Sequence, residues 1–277
     1  MSERTPSRGS SFARNKRPRR WDRERPAQRG ERGPRRESDT VILYGWHPVT
    51  LALTNPKRRI RKLYATENAA RRLADENITP KVAPEIVRPD VIAAQLPPDA
   101  VHQGLLAEAD PLPTPTIDTL TPEGIVLVLD QITDPHNVGA ILRSAAAFAV
   151  RAIVTTQRHS PEATGVLAKS ASGALEYVSF VTVQNLARAL VELKERGFFV
   201  VGLDSAGSDD LAGIELREPL ALVLGAEGKG LRQLTRETCH AVARLDMPGE
   251  IKSLNVSNAA ALALYIGASR LKRVNQL

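Results

Sequence analysis

The residues in this chain whose types and spacing could do chemistry fall in three polar loops. The first reads Asp130-Gln131-Ile132-Thr133-Asp134-Pro135-His136-Asn137-Val138-Gly139-Ala140-Ile141-Leu142-Arg143-Ser144-Ala145. Asn137 can accept a backbone N–H as a helix cap, and Gly139 admits close approach of another backbone. Arg143, about one and a half turns into the expected helix, can aim its guanidinium at an anion lying across the helix start. The second loop, Leu224-Gly225-Ala226-Glu227-Gly228-Lys229-Gly230-Leu231, opens into a helix. Its glycines expose backbone N–H and C=O groups to a ligand, and Glu227 adds a carboxylate. It lacks the Gly-Lys-Ser/Thr of a P-loop and reverses the glycine order of the dinucleotide fingerprint. The third loop, from Met247 to Ala260, carries Ser253, Asn255, Ser257 and Asn258, more hydrogen-bonding groups than one helix cap requires. Each loop also has a plain structural reading: a capped helix with a surface arginine, a glycine turn, and a pair of caps.

These loops follow apolar runs that read as strands buried on both faces: Ile125 to Leu129, Ala152 to Thr155, Val178 to Val183, Phe198 to Leu203, Leu220 to Leu224 and Ala243 to Met247. Helical patterns lie between most of them, at Ala140 to Ala149, Ala163 to Ser170, Leu186 to Lys194 and Leu231 to Thr238, and an Ala-rich helix closes the chain from Val256 to Leu271. This alternation predicts an α/β fold, an open parallel sheet with helices on both faces. In such sheets ligands bind in loops beyond the carboxyl ends of strands, where all three polar loops stand. Upstream, residues 39–109 read as a small α/β unit, with strands at Val41 to Tyr44, Ile60 to Ala65 and Gly104 to Ala109. Its helices fall after Trp46, at Ala69 to Glu76 and at Pro89 to Gln95. Asp110-Pro111-Leu112-Pro113-Thr114-Pro115 then favours an extended linker, placed at 110–122, before a second domain at 123–277.

Taken together, Asn-Val-Gly-Ala-x-x-Arg-Ser-Ala, Leu-Gly-x-Glu-Gly-x-Gly-Leu and Ser-Leu-Asn-Val-Ser-x-Ala, in this order, resemble the three motifs of the SpoU (TrmH-type) RNA 2′-O-ribose methyltransferases of the SPOUT superfamily. The likeness covers residues 125–271. Residues 41–109, with Tyr44-Gly45-Trp46-His47-Pro48-Val49 near the start and His102-Gln103-Gly104 near the end, are similar to that family's small ribosomal-protein-like RNA-binding domain. The resemblance implies a C-terminal trefoil knot, an exception to the rule against threaded chains. It implies an obligate homodimer, S-adenosylmethionine as methyl donor without a metal, and RNA as substrate, with a guanosine of 23S rRNA as target; a tRNA ribose is the alternative. It assigns the reaction to Asn137, Arg143, Glu227, Ser253 and Asn255. It places the cofactor against Leu203, Leu224, Gly225, Gly228, Leu245, Met247 and Leu254. The resemblance casts Arg143 as the base, which conflicts with a guanidinium that stays protonated. Arg143 is therefore expected to hold the target phosphate and stabilise the developing alkoxide, with Glu227 restraining it as a charge-assisted pair. The acceptor of the proton stays open.

Composition bounds these readings. The chain of 277 residues has a formal net charge of +7, but residues 1–38 hold 13 Lys/Arg against 5 Asp/Glu, so the remainder is close to neutral. That first stretch has almost nothing apolar and is expected to be a disordered basic tail suited to phosphate-rich partners. Aromatics are only 4 %, which disfavours recognition on stacked aromatic platforms. A single Cys239 excludes a disulfide framework and a Cys-rich zinc site, and the five histidines show no ligand spacing. No apolar run reaches a membrane span, so a soluble cytoplasmic protein is expected. Two rivals have features against them. A non-catalytic RNA-binding protein would not need every polar motif position filled, and an oxidoreductase would need three glycines in the first βα turn, which has one.

Overall fold

The computed structural model describes residues 40–157, 171, 173–251 and 253–274, and of 272–274 the backbone alone. The basic segment 1–38 and the helix expected at Ala163 to Ser170 lie outside the described residues. The upstream elements are β1 (Val41–Tyr44), α1 (Trp46–Thr54), β2 (Ile60–Ala65), α2 (Glu67–Asp75), β3 (Glu85–Ile86), α3 (Pro89–Ala93) and β4 (Leu105–Ala109). They form a four-stranded sheet in the order β1-β4-β2-β3, with β4 antiparallel to both neighbours. Leu43, Trp46, Val49, Leu63, Leu73 and Leu105 build its core. Its two ends meet at the start of α1, where Gln103 Oε1 accepts the Trp46 N–H at 2.9 Å and the Leu105 carbonyl accepts the Gly45 N–H at 3.2 Å.

Downstream come β5 (Ile125–Asp130), α4 (Pro135–Ala147), β6 (Ala152–Thr156), β7 (Ser179–Val183), α5 (Leu186–Glu195), β8 (Phe199–Leu203), β9 (Asp209–Asp210), β10 (Leu220–Gly225), α6 (Gln233–Thr238), β11 (Ala241–Arg244) and α7 (Val256–Val274). The seven strands form one sheet in the order β7-β6-β5-β10-β8-β11-β9, and every pairing in it is parallel. Both faces are covered because successive residues of the central strands, which point to opposite faces, are apolar. Leu127, Leu129, Ile153, Val201 and Leu222 face α4 and α7, while Val126, Val128, Val154, Val200 and Val223 face α5 with its Leu186, Leu190 and Leu193. Ile117 and Leu120 of the Pro-rich connection are buried on the second face.

Two expectations need correction, and one strand was not expected. The strand read at Ala243 to Met247 is Ala241–Arg244, because the chain leaves the sheet at Leu245. β9 was illegible: two aspartates paired with Ala243 and Arg244 carry no apolar signal. The helix expected from Ala140 begins at Pro135, because Asp134 caps it by accepting the His136 N–H at 2.9 Å and proline suits the first helical position. Asn137 therefore sits inside the first turn and is not the cap.

Candidate functional site: three loops at the carboxyl edge of the sheet

The β5–α4 connection, the glycine loop after β10 and the segment before α7 come together at the carboxyl edge of the sheet. Gln131 turns the chain out of β5 in the left-handed region, at φ 61, a conformation that costs a non-glycine residue energy and that recurs at functional sites. With Asn137 released from capping, its Oδ1 accepts the Asn255 Nδ2–H at 3.0 Å, across 118 residues of chain. Asn255 also caps α7, its Oδ1 accepting from the Ser257 N–H at 2.9 Å and the Ser257 hydroxyl at 2.6 Å. The structural and functional readings of Asn255 are thus both satisfied by one side chain. A cleft of about 500 Å³ lies between the first two loops, lined by Gln131, Thr133, Asp134, Asn137, Glu227 and Lys229 among others.

The glycine loop folds back on itself. Gly230 N–H donates to the Ala226 carbonyl at 2.9 Å, and a β-carbon at Gly225 would overlap the Gly230 carbonyl, so the closure requires glycine there. Gly230, at φ 64, lies against the Asp204 carboxylate, where a β-carbon would collide with Oδ2. Asp204 Oδ2 accepts from the Leu231 N–H at 3.0 Å and Arg236 Nη2 at 2.6 Å, and Oδ1 accepts from the Ala206 N–H at 3.0 Å. Burial opposes its ionisation, but the Ala206 and Leu231 N–H groups and Arg236 outweigh it and hold the Asp204 carboxyl below its ordinary value. On the other side of the loop, fully buried Asp130 at the end of β5 accepts from Arg232 Nε at 2.7 Å and from the Arg232 N–H at 3.1 Å. Two carboxylates at strand ends therefore fix the loop's exit. The reading of the sequence missed both, although a lone Asp ending an apolar strand was visible at each position.

Of the residues expected in the site, Asn137, Asn255 and Glu227 are brought to the cleft region. Ser253 is exposed beside Asn255, and Leu254 is half-buried. Arg143 lies further along α4 with its side chain exposed. The expected Arg143–Glu227 pair is not formed: among the described residues neither side chain makes an ion pair, because Glu227 projects from the exposed tip of its own loop. Leu203 and Leu224 are register partners on β8 and β10, and Leu245 follows β11 on the other side of β8. These three leucines form an apolar wall, Leu203 and Leu224 buried and Leu245 packed against the same core. Gly228 opens to free space; Met247 is half-buried.

The sequence profile of the SpoU rRNA Methylase family matches residues 124–265, and that of the RNA 2'-O ribose methyltransferase substrate binding domain matches residues 42–115. The chain is 37 % identical over 236 residues to the Ralstonia nicotianae protein named 23S rRNA (guanosine-2'-O-)-methyltransferase RlmB, covering 82 % of this chain and 95 % of that one. It is 36 % identical to the Pseudomonas aeruginosa protein of the same name, covering 80 % and 94 %. Among solved structures, the fold matches the SpoU methyltransferase AviRb of Streptomyces viridochromogenes, described in complex with the cofactor AdoMet, with a TM-score of 0.72 at 22 % identity over 86 % of this chain and 91 % of that one. With its motif loops gathered at one sheet edge and these matches spanning both halves, the chain belongs to the SpoU rRNA methylase family.

Proposed function

We propose that this protein transfers a methyl group from S-adenosylmethionine to the 2′-hydroxyl of an RNA ribose, with a guanosine of 23S rRNA as target. The observation that carries this reading is the Asn137–Asn255 hydrogen bond, which joins the first and third motif loops beside a cleft whose far wall holds Glu227 of the second. The names of the relatives that match most of the chain's length support the substrate. The residues present fit the cofactor: Leu203, Leu224 and Leu245 offer an apolar wall for a purine, and the glycine loop beside it presents backbone rather than side chain. Gly225, Gly228, Met247 and Leu254 complete the residues that would hold it.

Methyl transfer is an in-line displacement, so the ribose oxygen must be aligned with the methyl carbon and relieved of its proton. S-adenosylmethionine supplies the methyl as an electrophilic sulfonium. The chain's contribution is positional and electrostatic. Arg143, exposed on α4 and making no ion pair among the described residues, holds a phosphate and stabilises the oxyanion that forms on the ribose. Asn137 and Asn255 orient each other at the cleft, with Ser253 beside them, and Glu227 faces the RNA from the glycine loop. The small domain at 39–109 carries RNA, the 110–122 connection sets its reach, and residues 123–277 form the catalytic domain.

The same reading includes a knot and a homodimer. The knot is supported by β11 lying between β8 and β9, with the Asp204 N–H donating to the Ala243 carbonyl and the Leu211 N–H to the Arg244 carbonyl. The dimer is supported by Leu262 and Tyr265 exposed on α7. Mapping 2′-O-methylation across total RNA with and without the gene tests the function. Loss at one guanosine of 23S rRNA is expected, loss confined to tRNA would overturn the substrate, and no loss anywhere would overturn the activity.

A further inference from the structure

The turn that precedes β7 belongs to two cores at once. Gly173 enters the helical turn Ala174–Glu176 at φ 83, and a β-carbon there would overlap Leu51 of α1 and crowd the His47 carbonyl. Leu175 packs both against the core under β5 and α4 and against the core of the small domain. Glu176 brings the charge. Its Oε1 accepts from Arg58 Nη2 at 2.6 Å and Nε at 3.1 Å, and its Oε2 accepts from Asn55 Nδ2 at 2.6 Å. Arg58 Nη1 donates in turn to the carbonyl of Asp110, where the connection begins, at 2.9 Å. Both charged side chains are 4 % exposed. On its other side the same turn packs against α4, which carries Asn137 and Arg143.

Domains joined by a Pro-rich connection and an ordinary polar interface are expected to move relative to each other. Burying an arginine and a carboxylate is a poor way to gain affinity, because desolvation offsets most of the attraction; its best-attested use is to fix one arrangement against alternatives. Here the planar guanidinium fork is spent on two acceptors in different segments, and Asn55 takes the second carboxylate oxygen. Rotation of the small domain would break these bonds together.

We propose that Glu176 is a positioning residue: with Arg58 and Asn55 it locks the small domain onto the turn behind α4, so that RNA held by that domain meets Asn137 and Arg143 in one register. The catalytic consequence rests on the RNA-methylation reading, whereas the locked orientation stands without it.

The test uses the full chain in a Cys239→Ser background with spin labels on Glu67→Cys and Arg188→Cys, exposed on α2 and α5, diluted with unlabelled chain so that only distances within one chain are read. One narrow distance distribution is expected, broadened by Glu176→Ala. In parallel, kcat/KM on a long 23S rRNA fragment should fall about 10- to 100-fold in Glu176→Ala. A short hairpin that reaches only the cleft, and S-adenosylmethionine binding by calorimetry, should change less than about 2-fold. Glu176→Gln, which keeps acceptor and shape, should recover most of the loss. A broad distribution in the unmutated chain, an unbroadened one in Glu176→Ala, or equal losses on long and short RNA would overturn the proposal. Should Glu176→Ala lose cofactor binding through misfolding, Asn55→Ala and Arg58→Lys face the same criteria. A chain that methylates no RNA would overturn the activity, while the distances still decide the lock.

Discussion

Replacing Asp204 with Asn should loosen the glycine loop by an amount that the hydrogen bonds allow to be worked out. The carboxylate accepts three hydrogen bonds: from the Ala206 N–H on one oxygen, and from the Leu231 N–H and Arg236 Nη2 on the other. Asparagine keeps the shape, but one oxygen becomes an N–H₂ donor that must face a donor it used to satisfy. One buried bond to a charged acceptor is lost, worth about 1.5–3 kcal/mol. The Arg236 contact adds only about 0.5–1 kcal/mol, since that side chain is 41 % exposed. The sum is about 2–4 kcal/mol at neutral pH. The sign with pH follows from the carboxyl lying below its ordinary value. Its stabilisation is fully present above the unfolded-chain pKa of about 3.9 and is lost as pH falls through the folded value. The gap between wild type and Asp204→Asn should therefore narrow in acid. Equilibrium urea unfolding at one fixed protein concentration, at pH 7 and below about pH 4, reads both quantities. A variant as stable as wild type at pH 7, or a gap unchanged on acidification, would refute the reasoning.

Arg143→Lys should lower turnover by about 100-fold or more, because a point charge replaces a planar fork, while calorimetry shows S-adenosylmethionine binding unchanged; a fully active variant would remove Arg143 from its role. Asn255→Ala should cost about 1 kcal/mol through the lost cap, and a double-mutant cycle with Asn137→Ala should show coupling of about 0.5 kcal/mol or more, against zero if their contact is incidental. Burial pushes the Cys239 thiol up to about 12, with Lys194 only partly opposing it, so a thiol reagent at pH 8 should label it only after unfolding; rapid labelling of the native protein would contradict this. Deleting residues 1–38 should weaken RNA binding and flatten its salt dependence while sparing cofactor binding and the modified nucleotide, and a shifted modification site would count against an accessory tail.

Much of the frame was legible along the chain. Ile125–Asp130, Ala152–Thr156 and Leu220–Gly225 are continuous apolar runs because both faces of a parallel sheet are buried, and the sequence marks them within a residue or two. The errors share a cause. Asp134 and Pro135 set the start of α4, yet Asn137 resembled a cap because capping preference is a property of residue type and several candidates stood side by side. β9 exists only because Ala243 and Arg244 of β11 lie alongside it. The expected partnership of Arg143 with Glu227 was a matter of charge; the fold sets them on different elements, and neither makes an ion pair among the described residues.

From the chain alone, then, came the α/β class, the three loops, and the residue types able to position an RNA ribose and a methyl donor, because strand and helix periodicity and local turn chemistry act over a few residues. Which of those residues meet was decided by tertiary structure. The lateral order β7-β6-β5-β10-β8-β11-β9, the bond between Asn137 and Asn255, the carboxylates of Asp130 and Asp204 behind the glycine loop, and the burial of Arg58 against Glu176 all join segments remote in sequence. Their pairing depends on how whole elements pack and on which buried polar groups must find partners away from water, and neither is written in any short stretch of residues.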